Sequence, residues 1–526
     1  MESAGPAEIE LKLRLPRSAV AAVLRHPAVA AVRRGRTRVA TLRSTYFDTD
    51  DIRLARAGIG LRLRREGRRW LQTIKGPQDP RSGAGLAARP EYEWPLHAGA
   101  AGPPLDTARF ALTPWRRKLD KAVREGLRAK FVAAVERTTV PLVFADSTMA
   151  VLAVDVGEIH AASGSRKLPL CEVEIELESG HAHNLFELAH ALAADLPLAI
   201  ETRSKAARGF ALLSHETPVP ARAEDAVLES KVSTADALAA MLRSCARQIE
   251  ANADGVLAEA DPEWIHQMRI GTRRLRACLA LMRDLVAADA LAPLRAEARW
   301  LAHKLGPARD LDVLADETLP AIAAAVRSAG TDDGAPALRS LRTRVARLRS
   351  AARADARAAV ASPRFVQFLL AVGAFAARPR FGVDETAAPA ATLAAPARRF
   401  ARPVLKRRQR KLLRRGANLP TATPAARHAA RLAAKQLRYA TEFFAGLFPR
   451  RKTRAYRAAL AQLQDILGTL NDATVAVGLA AGVAGPHAPA TAMLRGWAAA
   501  QSAGRAEALA AAWHHFSRAR AFWSAA

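Results

Sequence analysis

Glu8, Glu10 and Lys12 stand at alternate positions in the run Glu8-Ile-Glu-Leu-Lys12. An extended strand repeats every two residues, so the three side chains share a face, about 6.5–7 Å apart along it. Two carboxylates so placed can bind a hard divalent cation, and the lysine can meet a phosphate beside it. A solvated amphipathic strand carries the same pattern, and the motif by itself leaves both readings open.

A second set of residues occurs twice. His266, Arg269, Arg273 and Arg276, with Leu305, Gly306 and Asp310, return 162 positions later as His428, Arg431, Lys435 and Arg438, with Leu467, Gly468 and Asp472. Offsets of 0, 3, 7 and 10 on a helix fall within an arc of about 80°. Trp264, Met268, Leu275 and Leu279 fall on another face and supply a core. A solvated helix face normally mixes in acids for i,i+4 pairing, yet residues 265–283 contain no Asp or Glu. The stripe therefore reads as a duplicated device for holding a polyanion. Neither histidine has Cys or acidic partners at zinc spacing, so a metal role is rejected. An imidazole that contacts phosphate and one that is buried and hydrogen-bonded both remain open. Leu-Gly-x-x-x-Asp reads as a turn whose Asp caps a helix or orients an arginine. Asp312 corresponds to Thr474, so the copies differ in acid content.

The surrounding elements fall into two grammars. Period-two alternation runs from about residue 5 to 210, in Glu8–Leu15, Leu61–Arg64, Glu91–Glu93 and Glu172–Glu178, with a helix near 184–196. If such a sheet closes into a barrel, its charged faces share one polar lumen. Pro218 and Pro220 mark a linker, and the chain then reads helical, with breaks at 330–336, 379–396, 416–424 and 482–489. The expected domains are 5–215, a linker at 216–226, and a helical region at 227–520 whose repeats span about 227–380 and 396–520. Residues 396–415 add ten Lys or Arg and no acid.

Composition sets limits on these readings. The 526 residues carry a formal net charge of +30 and only 5% aromatics. Charge that one-sided points to an anionic partner. The shortage of aromatics argues against a base-stacking nucleic-acid binder, so nucleic acid is expected only as a nonspecific contact. Cys171, Cys245 and Cys278 fit neither a zinc site nor a disulfide framework, consistent with a reducing cytosol. The opening, with Glu2 and the charged run 8–12, lacks an apolar signal core, and no membrane insertion is expected. There is no glycine-rich phosphate loop of the Walker type.

The N-terminal motifs come in a characteristic order. Glu8-x-Glu10-x-Lys12 is followed by Ser44–Thr49, Gly58-Ile-Gly-Leu-Arg62-Leu-Arg64 and Thr73-Ile-Lys75-Gly76. Arg89-Pro-Glu91-Tyr-Glu93, Arg137, Asp155, Cys171–Gly180 and Ser204-Lys205-Ala-Ala-Arg208-Gly209 complete the set. Together they resemble the CYTH domain of the triphosphate tunnel metalloenzymes, over about residues 5–215, and look most like the bacterial inorganic triphosphatases. The resemblance implies an eight-stranded antiparallel β tunnel and metal-dependent hydrolysis of inorganic triphosphate to pyrophosphate and phosphate. It implies that Glu8, Glu10, Glu174 and Glu176 hold Mg²⁺ or Mn²⁺. Lys12, Arg62, Arg64, Lys75, Arg137, Lys205 and Arg208 would bind triphosphate, and Asp155, Glu172 or Glu174 would orient the attacking water. Structural readings stand beside these: Asp48 as a strand-end cap, Glu91 and Glu93 as partners of tunnel arginines, and Glu178 at the rim.

Residues 265–276 and 428–439 with Glu442 resemble the CHAD domain, over roughly 225–520. This implies an all-α domain of two pseudo-symmetric four-helix bundles that binds inorganic polyphosphate in a basic channel. The binding residues would be His266, Arg269, Arg273, Arg276, His428, Arg431, Lys435 and Arg438. The combined expectation is an α+β multidomain, cytoplasmic triphosphatase with a polyphosphate-binding domain, associated with polyphosphate granules. The alternative is a polyphosphate-binding or granule-targeting protein without turnover.

Overall fold

The computed structural model describes residues 7–79, 82–97, 102–162, 164, 166–214, 217–259, 261–328 and 334–524. Glu2 and most of the break at 330–336 lie outside the described residues. One compact unit holds the chain up to Val219 together with Pro363–Arg378, and the other holds Pro220–Ser362 and the chain from Pro379.

The first unit is built on β1 (Ala7–Arg14), β2 (Arg38–Asp48), β3 (Gly60–Glu66), β4 (Arg69–Lys75), β5 (Leu86–Leu96), β6 (Arg128–Val143), β7 (Met149–Ala161) and β8 (Lys167–Ser179). They pair antiparallel in the order β5-β4-β3-β2-β6-β7-β8-β1, and β1 also pairs with β5, closing the barrel. Closure explains the strand grammar. One face of each strand turns to the lumen, and the other packs outward against helices. On β8, Glu172 and Glu174 alternate with Val173 and Ile175, and all four are buried. Asp48 ends β2 and accepts backbone N–H bonds from Thr49, Leu54 and Ala55, the capping role expected of it.

Two helices brace the barrel. Lys205–Leu213 starts at Ser204, whose Oγ accepts from Ala207 N. Lys205 and Arg208, three apart on this helix, share one face. Gly209 lets the helix approach, because a Cβ there would lie 2.1 Å from the Phe131 ring. His183–Asp195 packs against the helix Pro363–Ala377, where Gln367 donates to Ala193 O and Gly373 faces the Phe186 ring. Residues 363–378 thus pack with the barrel, although by position they fall in the expected span of the first helical repeat.

The second unit is helical. Repeat one contributes Thr234–Glu250, Pro262–Leu281, Ala288–Val313 and Ala335–Ala361. Repeat two contributes Ala397–Gly416, Pro424–Phe444, Arg450–Ala484, Pro489–Gly504 and Ala506–Arg518. The duplication extends to the caps: Asp261 before Pro262 and Thr423 before Pro424 each accept a backbone N–H of the first turn. The Leu-Gly-x-x-x-Asp motifs are not turns. Leu305–Asp310 lies inside Ala288–Val313 and Leu467–Asp472 inside Arg450–Ala484, with Leu305 and Leu467 in the core. Arg450–Ala484 is long and apolar enough by composition to cross a membrane. It nonetheless packs laterally against Pro424–Phe444, Pro489–Gly504 and Ala506–Arg518 of its repeat.

Gly157 on β7 pairs with Val135 on β6, and a Cβ there would lie 2.1 Å from Ala134 O and 2.8 Å from Val135 Cα. Gly157→Ala is expected to destabilise the barrel by about 1–3 kcal/mol through overpacking against backbone. The urea midpoint of the full chain measures this, and a wild-type midpoint would contradict the closeness of β6 and β7.

Candidate functional site

Strand register puts the lumenal charges side by side. Glu10 faces Glu176 and Lys12 faces Glu174 across β1–β8, while Asp155 faces Glu172 across β7–β8. Arg137 faces Asp155, Lys75 faces Glu91, Tyr46 faces Arg62 and Glu8 faces Arg89. The lumen encloses a cavity of about 1110 Å³, lined among the described residues by eight basic and seven acidic side chains. A cavity so nearly neutral does not by itself compensate a polyanion.

Most of these charges are already paired. Lys75 Nζ lies 2.6 Å from Glu8 and 3.2 Å from Glu91. Lys12 reaches Glu10 and Glu174, each at 3.0 Å. Arg89 bonds Glu10 at 3.1 Å, and Arg62 lies 3.4 Å from Glu91 and 3.9 Å from Glu93. Glu91 and Glu93 thus pair with tunnel cations, as the structural reading of them expects. Burial works against the Lys12 charge, but Glu10 and Glu174 outweigh it and raise its pKa.

Asp155, Glu172 and Glu174 form a buried acidic cluster whose oxygens lie within 4.8 Å of one another. Arg137 clamps Asp155 through two bonds and also holds Glu174, while Lys205 contacts all three acids. Arg208 closes on Glu172, with Glu201 at 3.6 Å. Burial opposes the charge on Glu174, yet Lys12, Lys205 and Arg137 hold its pKa well below the ordinary range. Asp155 and Glu172, expected to orient water, are fully buried and are absent from the cavity lining, as is Arg208, expected to bind triphosphate. The structure brings these three together behind the wall, where they position Lys205 and Arg137. Glu174 does line the cavity.

Besides the exposed Arg56 and Glu178, two half-buried lining groups depart from this balance. Glu176 has no ion pair among the described residues. Burial and the nearby charges of Glu8, Glu10 and Glu91 push its pKa up to about 7. Among the described residues, the Arg64 side chain bonds only Ser44 Oγ, at 3.3 Å. Burial and the neighbouring Arg62 and Arg137 push its pKa down to about 10. Glu176 stands on β8 and Arg64 on β3, separated by equal numbers of strands either way round the barrel, hence on facing walls. Glu176 lies beside Glu8 and Glu10, and the three carboxylates form an oxygen-donor set of a kind that suits a hard divalent cation. Arg64 offers a cation short of an anion.

Sequence reasoning overlooked Arg89 and Tyr46. Arg89 alternates with Glu91 and Glu93 along β5, and that spacing was its signal. Tyr46 stacks on Phe131, and although burial opposes ionisation, Arg62 and Arg64 lower its pKa.

In the helical unit, a cavity of about 190 Å³ gathers His266, Arg269, Arg273 and Arg309 from repeat one with Arg431 and Lys435 from repeat two. Arg269 bonds Asp310 at 3.1 Å, and the equivalent pair Arg431–Asp472 lies at 3.6 Å. The motif aspartates therefore orient arginines rather than cap helices. The histidines diverge because Arg309 stands where repeat two has Asn471. His428 Nδ1 lies 3.0 Å from Asn471 Oδ1, whereas burial and Arg309 push His266 down to about 4. His266 is thus neutral at pH 7. His428 lines a separate cavity of about 300 Å³ with Arg427, Asn471 and Ser502. Arg276 is exposed, and Arg438 is tied to Glu442 at 2.7 Å and Gln464 at 3.1 Å, so neither joins the shared cavity. Asp312 holds Arg349 and Arg353, whereas Thr474 bonds its own helix at Leu470 O.

Comparison with known proteins gives two separate matches. Residues 6–210 match the CYTH domain and residues 240–481 the CHAD domain. Over 175 residues the chain is 31% identical to the inorganic triphosphatase of Haemophilus influenzae, covering 33% of this chain and 47% of that protein. The chain thus spans about half the length of this curated relative. Among solved structures, the CHAD domain of Ricinus communis is 34% identical, covering 56% of this chain and 96% of that one, with a TM-score of 0.47. The Hippeastrum protein HpAC1, described as having a dominant triphosphatase activity, is 18% identical over 39% of this chain and 95% of its own, with a TM-score of 0.28.

Burial, together with Arg273, Arg431 and Arg269, pushes Lys435 down to about 7. Lys435 is therefore expected to react with an amine-selective label with a midpoint near pH 7, and Arg273→Gln should move that midpoint upward. Competitive labelling across about pH 5–10, read by mass spectrometry, measures this; a midpoint near the ordinary lysine value would contradict the crowding of cations here.

Proposed function

We propose, from the premise that the chain joins a CYTH domain at residues 6–210 to a CHAD domain at residues 240–481, that it is a metal-dependent inorganic triphosphatase carrying a polyphosphate-binding domain. The observation that carries the first half is the pair of unbalanced groups on facing walls of the tunnel, Glu176 among acids and Arg64 among bases. A linear triphosphate with its divalent cation supplies both missing charges.

In this reading Glu8, Glu10 and Glu176 hold Mg²⁺ or Mn²⁺. The metal, when bound, neutralises phosphate oxygens and offsets the acids that would otherwise repel the substrate. Arg64, Arg62 and Lys75 bind phosphate oxygens from the walls, with Arg64 free to give its whole charge. Lys12, Lys205 and Arg137 fix Glu174, whose depressed pKa suits it to orient a water rather than to take its proton. Asp155, Glu172 and Arg208 act one layer out, as positioning residues. Phosphoryl transfer needs little covalent help from the protein, so fixed charge and placement carry most of the catalysis.

The helical cavity supports polyphosphate binding because five cations and a neutral imidazole converge there against only two carboxylates. The reading without turnover draws on the ion pairs that already saturate Asp155, Glu172 and Glu174. Phosphate release from triphosphate, pyrophosphate, long polyphosphate and ATP, each with Mg²⁺ and with Mn²⁺, separates the two. Release from triphosphate supports hydrolysis; binding without release under either metal selects the other.

Loss of the metal site removes several kcal/mol of transition-state stabilisation, and each 1.36 kcal/mol is tenfold in rate. The double variant Glu8→Gln/Glu10→Gln is therefore expected to lose on the order of 100-fold or more in kcat at saturating metal, while keeping its melting transition. Unchanged turnover would sink the metal assignment.

A further inference from the structure

The helix Ala397–Gly416 opens repeat two as Thr234–Glu250 opens repeat one. Arg399, Lys406, Arg407, Arg410 and Arg414 are all exposed, and among the described residues none of their side chains makes a hydrogen bond or ion pair. At 100° per residue they lie within an arc of about 100° and extend about 22 Å along the axis.

In repeat one, the connecting segment 221–228 packs on Thr234–Glu250, beside the helix Pro262–Leu281 to which Gln248 bonds. Ser244 Oγ donates to Glu224 O at 3.1 Å. Asn252 exchanges two bonds with the backbone of Ala221, at 3.0 and 2.9 Å. Ala226 and Leu228 are buried. In repeat two, the five cations of Ala397–Gly416 stand exposed along one face. The cations facing the other way are used within the fold: Arg408 donates to Gln436 O, Lys411 to Gln436 Oε1 and Arg415 to Ala429 O. The helix therefore separates structural from unspent cations by face.

We propose that this bare face is a second polyanion site, outside the shared cavity of the two repeats, and that its ligand is the body of a long linear polyphosphate. The choice of ligand rests on the polyphosphate-binding reading above; the existence of the site does not. The face carries no exposed aromatic side chain for base stacking and no exposed large apolar side chain to enter a bilayer. Arginine dominates, and its planar fork matches phosphate oxygens in pairs. A chain long enough to leave the cavity gains the face as an intramolecular contact, which raises affinity without any new contact in the cavity.

The test compares the full chain with Lys406→Ala/Arg407→Ala/Arg410→Ala/Arg414→Ala and with the cavity variant Arg269→Ala/Arg273→Ala/Lys435→Ala. Binding of long polyphosphate, of a short oligophosphate, of single-stranded RNA and of anionic vesicles is measured across salt. The face variant is expected to bind the long chain at least about tenfold more weakly, with a shallower salt dependence, and the short oligophosphate as wild type does. The cavity variant should lose the short ligand and retain residual, salt-sensitive binding of the long one. Unchanged long-chain affinity in the face variant, with a native melting transition, overturns the site. RNA or vesicles bound through the same four residues more tightly than polyphosphate overturn the ligand. Loss of all phosphate binding only in the cavity variant overturns the site and leaves the cavity reading standing. Failure of wild type to bind either phosphate ligand overturns the polyphosphate reading itself, and with it this choice of ligand.

Discussion

A charge sealed inside a closed β-barrel must find an opposite charge within reach, because the low-dielectric wall cannot solvate it. The first unit is organised around that constraint. Alternation along each strand sends acids and bases inward, and antiparallel register decides which of them meet. Lys12 meets Glu174, Arg137 meets Asp155, and Lys75 meets Glu91, because those residues are direct partners across their strand pairs. The helix carrying Lys205 and Arg208 closes the network from outside, and Gly209 is what allows it to come close enough. Such a network is a weak source of net stability, since desolvation offsets much of the attraction. Its effect is to hold each side chain in one place.

Apart from the exposed Arg56 and Glu178, nearly every charge lining the cavity is paired, and the two half-buried groups that are not carry the functional argument. Glu176 is held partly protonated by burial and by its acidic neighbours, and Arg64 is crowded by arginines without a carboxylate of its own. Their placement on opposite walls describes a ligand that is cationic on one side and anionic on the other. The helical unit follows a different logic. There the acids are few, and the cations of two repeats face one another across a cavity. Burial, with that repulsion, pushes the pKa of Lys435 down to about 7 and that of His266 to about 4. Duplication supplied the same ion pair twice, Arg269–Asp310 and Arg431–Asp472, and divergence at a single position, Arg309 against Asn471, gave the two histidines different surroundings.

Much of this was legible in the sequence. Period-two alternation of charge in β1, β3 and β8 pointed to a barrel with a polar lumen, and the 162-residue repeat to a duplicated helical half. Glu8, Glu10, Glu174 and Glu176 were named from spacing and resemblance, and all four line the barrel cavity; of the stripe residues, His266, Arg269, Arg273, Arg431 and Lys435 line one cavity in the helical unit. The failures share a cause. Leu-Gly-x-x-x-Asp was read as a turn because glycine weakens a helix, but here long-range packing of Leu305 and Leu467 overrides the local preference. Asp155, Glu172 and Arg208 were placed at the ligand, whereas the contacts that draw them behind the wall come from a helix about thirty residues downstream of β8. Arg276 and Arg438 share the arc of the stripe, but an arc does not tell which part of it another helix will cover. The helix at 363–377 gave no sign in its sequence that it packs against the barrel.

The central claim is that the tunnel accepts triphosphate only together with a divalent cation, because its acids and bases are otherwise nearly balanced. Calorimetric binding of triphosphate to the full chain, with Ca²⁺ as a slow-turnover cation and in its absence under chelator, tests this directly. The account expects saturable binding with the cation, lost in chelator and weakened about tenfold or more by Arg64→Met, the range for removing one hydrogen bond to a charged group. Equally tight binding in chelator, or binding indifferent to Arg64, would contradict it.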